Sequence, residues 1–130
     1  MKLWASLYAM VWLAFLEFIL VWTPVSGFAL LLYVHVILGI VIFAIAYSNA
    51  SKLSGMQCPA RIRRIAKATV GLAAFEGVLG ILLYVSKTRS LPDLVTSAVG
   101  FLHIVTALAI VTQAASTATA YDMWEEKEFV

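Results

Sequence analysis

Four ionisable side chains fall inside apolar stretches of this sequence: Glu17, His35, Glu76 and His103. An ionisable group in hydrocarbon has to be paired, neutral or hydrated, so each of them marks a functional site by default. Two imidazoles can supply the two axial nitrogens of a six-coordinate haem iron, the porphyrin supplying the other four. Two carboxyls can orient those imidazoles or handle a proton, and Glu76, the deeper of the two, is the candidate catalytic residue. The mixed nitrogen and oxygen set also suits copper or zinc, although no HxxxH or ExxH spacing concentrates it. Cys58 is the single cysteine, which excludes an intrachain disulfide and any CxxC site. Cys58-Pro59 reads as an ordinary loop dipeptide.

The elements that position these groups follow from composition. Of 130 residues, 63% are hydrophobic and 12% charged, against about a quarter charged in soluble domains. A single small domain cannot hide that much apolar surface, so lipid has to cover it. The net charge of +2 and the gathering of cations in one loop argue against nucleic acid. Runs near the 20 or so residues that a bilayer core requires extend over about 3–22, 28–47, 68–85 and 94–118. Turn chemistry separates them at Thr23 to Gly27, at a long linker from Ser48 to Lys67 broken by Pro59, and at Ser86 to Asp93. Lys2 precedes the first run, but that run is too long for a signal-peptide core and reads as a true span. The expected fold is all-α: an integral membrane four-helix bundle running up-down-up-down.

Orientation follows from the bias of lysine and arginine. The middle linker carries Lys52, Arg61, Arg63, Arg64 and Lys67, and the opposite side only Lys87 and Arg89. Both termini are therefore expected in the cytoplasm of a cell-membrane protein. Trp4, Trp22, Tyr47, Tyr84 and Trp124 fall near the expected interfaces as an aromatic belt. At 1.5 Å per residue, Glu17 lies roughly 8 Å, His35 roughly 11 Å, and Glu76 and His103 roughly 14 Å from the outer ends. The histidines sit on helices two and four, diagonal in a simple bundle and at matched depth. Small residues beside them give room for a macrocycle or let backbones approach: Gly39, Gly100, Thr106 and Ala107, with Ala73, Gly77 and Gly80 around Glu76. Glu17 is near enough to the surface to reach the headgroups. Lys87 and Arg89 are placed to pair with haem propionates, or to stand as solvated loop residues. Thr112, Gln113, Ser116, Thr117 and Thr119 are expected to hydrogen-bond between helices.

Three segments resemble the haem A synthase family. Leu32-Tyr33-Val34-His35-Val36-Ile37-Leu38-Gly39 looks like the second helix of a synthase half. Arg63-Arg64 through Phe75-Glu76-Gly77-Val78-Leu79-Gly80 looks like the third, and Leu91-Pro92 through Leu102-His103-Ile104 like the fourth. The resemblance covers about residues 28–112. It implies a four-helix half binding one b-type haem through His35 and His103, which in some members pairs with a second copy. It also implies oxidation of a methyl group of haem O, but the family's motif has a glutamate before the histidine and an arginine after it. Here Leu32, Tyr33 and Val34 precede His35 and Val36 follows it; Glu76 stands where glutamine is usual, and the paired cysteines are absent. The resemblance therefore carries haem binding further than synthase activity, and a small cytochrome similar to the b561 class would suit the same pair of ligands. The expected function is a b-type haem protein serving electron transfer or haem chemistry in a respiratory membrane, as a homodimer or a subunit of a larger complex. The alternative is a non-catalytic accessory subunit of a larger membrane complex.

Overall fold

The computed structural model describes residues 2–22 and 29–128. These form four helices: α1 (Leu3–Trp22), α2 (Ala29–Ser54), α3 (Ala60–Thr88) and α4 (Asp93–Glu128). All four are long and apolar enough to cross a membrane. The expected turn at Thr23 to Gly27 lies outside the described residues.

The largest departure from expectation is the middle linker. Helix occupies most of the segment from Ser48 to Lys67, leaving only Gly55 to Pro59 between α2 and α3. The width of a bilayer limits the apolar run but not the helix. Asn49, Ala50, Leu53, Ile62 and Ala66 are buried on the inward faces of these extensions, so packing carries both helices beyond the apolar zone. The break is local: the Gly55 and Met56 N–H groups turn back to the carbonyls of Lys52 and Leu53. Pro59, with φ at −51°, then stands as the N-cap of α3, a place where its missing N–H costs little. At the other corner the Leu91 N–H reaches the Ser86 carbonyl at 3.0 Å. Ser90 there takes the left-handed φ of 49°, the reversal that commonly ends a helix.

Each helix packs on its neighbours in chain order around a ring, α1 on α2, α2 on α3, α3 on α4 and α4 on α1; among the described residues the backbones of the diagonal pairs stay apart. Two apolar clusters fill the interior. One gathers Leu7, Ala50, Leu53, Cys58, Ile62, Ala66, Ala118 and Tyr121, joining the starts of α1 and α3 to the ends of α2 and α4. The next gathers Met10, Ala14, Ile42, Ala46, Ala73, Ile110 and Ala114. A cavity of about 10 Å³ lies between Met10, Asn49, Thr69 and Thr117.

The interior repeats itself. Laying Glu17 on Glu76 lays Leu7 on Ala66, Met10 on Thr69 and Ala14 on Ala73; laying His35 on His103 lays Ile42 on Ile110, Ala46 on Ala114, Asn49 on Thr117, Ala50 on Ala118 and Leu53 on Tyr121. Glu17, His35 and Glu76 are partly buried, and every other residue in these pairs is buried. The hairpin α1–α2 and the hairpin α3–α4 thus present the same inward register, as a twofold relation down the bundle produces.

A pair of glutamate–histidine contacts

Beyond the second cluster the four ionisable candidates come together. Glu17 Oε1 lies 3.0 Å from His35 Nδ1, and Glu76 Oε1 lies 3.0 Å from His103 Nδ1. Each contact is made within one hairpin, because Glu17 on α1 and His35 on α2 meet across the α1–α2 seam as Glu76 and His103 meet across the α3–α4 seam. The two imidazoles then face each other across the diagonal, ring centroids 6.0 Å apart and planes at 76°. Matched depth on alternate helices therefore does bring the histidines together, and each glutamate stands behind one of them.

Glu17 is turned inward. Its side chain is only 14% exposed, so it pairs with His35 in place of reaching for the headgroups. Glu76 is 17% exposed and His103 11%, whereas His35 is 30% exposed. Both Glu17 oxygens, Glu76 Oε2 and His103 Nδ1 are buried without an aligned hydrogen bond. The contacts are thus close polar pairs with hydrogen-bonding capacity to spare, which is costly in an apolar interior.

The small residues divide. A Cβ on Gly80 would stand 3.4 Å from His103 Cε1, so α3 packs close against that imidazole because Gly80 is there. A Cβ on Gly39 would meet Glu17 Oε1 at an ordinary 3.8 Å, and one on Gly77 would meet nothing within 4 Å. Lys87 and Arg89 are exposed at the α3–α4 corner. His103 lies ten residues beyond Asp93, where α4 begins, or about 15 Å along the axis, and neither cation joins the glutamate–histidine contacts. Two of the polar residues of α4 bond within their own helix: Thr112 Oγ1 donates to Leu108 O at 2.9 Å and Thr117 Oγ1 to Gln113 O at 2.8 Å. For these two the expectation of helix-to-helix bonds is corrected, since a hydroxyl finds the carbonyl four residues back on its own helix more readily.

The donor set can be tested against the two kinds of metal chemistry. Among the described residues no three His, Cys, Asp or Glu side chains converge as a site for a bare ion would require, so the copper or zinc reading loses its geometry. Haem asks for only two protein donors. With metal–nitrogen bonds of about 2.0–2.1 Å, two imidazoles sharing one metal from opposite sides stand about 6 Å apart, centroid to centroid. The observed 6.0 Å meets that requirement. The carboxyls meet a second one. A ligating histidine usually gives its other ring nitrogen to a carboxylate or carbonyl, which fixes the tautomer, and here both Nδ1 atoms face carboxyls, leaving Nε2 as the donor. The separation of the rings and the carboxyls behind them thus suit an axial pair.

The reading from sequence missed two things: the pairing of each glutamate with the histidine of its own hairpin, and the buried polar layer of Asn49, Thr69 and Thr117. The register of the repeat, with Ala14 and Ala73 three residues ahead of the two glutamates and a branched aliphatic just after each histidine, was the available signal. Compared with models of known families, with characterised proteins and with solved structures, the chain finds no match in any of the three.

Proposed function

We propose that this chain is a membrane-embedded b-type haem protein, with His35 and His103 as axial ligands and Glu17 and Glu76 holding their Nδ1 atoms. The observation that carries the reading is the facing pair of imidazoles, each backed by a carboxyl from its own hairpin. The bundle runs up-down-up-down, since the apolar clusters join the starts of odd helices to the ends of even ones. The helices lie in a bilayer because most of each apolar span faces outward from the bundle, where only lipid or a partner removes it from water. When bound, the haem supplies a reversible one-electron change at iron, so the protein serves electron transfer or haem chemistry in a respiratory membrane. The residues do the rest: Nε2 of each histidine binds, each glutamate orients one ring, and the apolar cluster around Ile42 and Ile110 keeps water from the site on the inner side.

The purified protein, produced with haem supplied, is expected to show the Soret and sharp α bands of a low-spin b haem on reduction. An intact, colourless protein would sink the reading and leave a non-catalytic subunit, in which the same contacts serve only to join helices.

Sidedness has its own test. Lysine and arginine bias puts the α2–α3 corner in the cytoplasm. Cys58 is buried and cannot report on it. In a Cys58→Ala background, Gln57→Cys is expected to resist an impermeant thiol reagent on intact cells while Arg89→Cys reacts; the reverse pattern would invert the topology.

A further inference from the structure

The repeat that aligns the hairpins also aligns the two grooves between them, and there the copies differ. In the α1–α4 groove the Tyr8 hydroxyl donates to Asp122 Oδ2 at 3.3 Å, closing the groove near one end. In the α2–α3 groove the register puts Lys67 in the place of Tyr8 and Ser54 in the place of Asp122. That pair makes no such closure, since Ser54 Oγ turns to its own helix and donates to Ala50 O at 2.8 Å. A cavity of about 210 Å³ opens instead, lined by Tyr47, Ala50, Ser51, Ser54, Lys67 and Val70.

Charge divides the same way. No Asp or Glu occurs between Glu17 and Glu76, while Lys52, Arg61, Arg63, Arg64 and Lys67 fall around this groove. Asp122, Glu125 and Glu126 at this end belong to α4, whose backbone packs on those of α1 and α3 and not on that of α2. Arg63 donates to a neutral group, the Met56 carbonyl, at 3.1 Å. The cavity thus offers an ammonium and the Ser51 hydroxyl at one end and apolar wall at the other, at the level where a bilayer changes from acyl chain to headgroup. Basic pockets between membrane helices on the cytoplasmic side suit anionic headgroups.

We infer that the α2–α3 groove binds an anionic phospholipid, its phosphate at Lys67 and Ser51 and its acyl chain along Tyr47, Ala50 and Val70. The inference rests on the bilayer placement proposed above and is independent of haem. The full chain, purified in mild detergent, is titrated with phosphatidylglycerol or phosphatidylcholine and retained lipid is read by native mass spectrometry. The wild type is expected to retain one phosphatidylglycerol in preference to phosphatidylcholine. Lys67→Gln should weaken retention about fivefold, the share of one cation near an anionic surface. The double variant Lys67→Tyr, Ser54→Asp copies the pair that closes the other groove and should abolish retention with helix content unchanged. Lys127→Gln, the loss of an exposed cation at the same end, should change nothing. Equal retention of the two lipids, or retention unaffected in both Lys67 variants, overturns the inference. Displacement of the lipid by millimolar inorganic phosphate also overturns it and gives the groove to a free anion. Flotation with vesicles is measured in parallel: a chain that does not float refutes the bilayer placement itself, whereas one that floats without lipid preference refutes only the groove.

Discussion

The two hairpins share an inward register but not an environment. His35 of the first is about three times as exposed as His103 of the second, and among the described glycines only Gly80, of the second, stands against an imidazole. Their grooves diverge too, one closed by Tyr8 and Asp122, the other open beside Lys67. A repeated hairpin thus supplies a facing pair of like donors cheaply, because one register places both. What sits around each donor is then free to differ.

Removing either histidine separates what the hairpins share from what they do not. His35→Ala and His103→Ala are both expected to abolish the low-spin spectrum, since each completes the same axial pair. They should differ in stability. His103 is the more buried and is packed against Gly80, so His103→Ala is expected to lower the thermal midpoint in detergent by several degrees more than His35→Ala. Equal midpoints would show that the two environments are energetically alike in spite of their different exposure.

The glycines give a smaller contrast. A leucine at Gly80 has to push the His103 ring aside, and a Cβ alone already reaches 3.4 Å from Cε1. Gly80→Leu is therefore expected to cost at least tenfold in haem retention, as measured by haem-to-protein ratio after gel filtration. Gly39→Ala meets only an ordinary contact and should be neutral or stabilise by about 0.4–1 kcal/mol through the unfolded chain. Comparable haem loss in Gly39→Ala would mean that the first hairpin is packed as tightly around its ligand as the second.

Helix number and the four intramembrane candidates were legible in the sequence because both depend on local composition. Twenty apolar residues announce a possible span, and an ionisable residue inside one announces a cost. Helix ends were less legible: hydropathy stops reporting where a helix leaves the apolar zone, so the extensions carrying Asn49, Leu53 and Ile62 looked like linker. The role of Glu17 was misjudged for a related reason. Depth along one helix says how far a carboxyl lies from water, but rotation about the axis decides that it faces His35. Lys87 and Arg89 were assigned by depth as well; they stand exposed at the α3–α4 corner, outside the glutamate–histidine contacts.

The smallest expected effect comes from the layer where the repeat pairs Asn49 with Thr117. Asn49 is 2% exposed, and neither its amide nitrogen nor its oxygen has a partner among the protein's own groups. Thr117 and Thr69, on the same cavity wall, each donate to the carbonyl four residues back, Gln113 O at 2.8 Å and Ile65 O at 2.9 Å. An unpaired buried amide costs about 1–3 kcal/mol, and a threonine at 49 gains the corresponding carbonyl of Ile45. Against this stand a few tenths of a kcal/mol of helix propensity and a slightly larger cavity. Asn49→Thr is therefore expected to leave stability unchanged or raise it by up to about 1 kcal/mol, measured by thermal unfolding in detergent. The reverse change, Thr117→Asn, puts a second amide into the same layer and should destabilise by about 1–2 kcal/mol. A loss on the order of 2 kcal/mol in Asn49→Thr would show that the amide is engaged after all, by a molecule held in the 10 Å³ cavity. The first hairpin would then owe its asparagine to a ligand that the second, with threonine, does not bind.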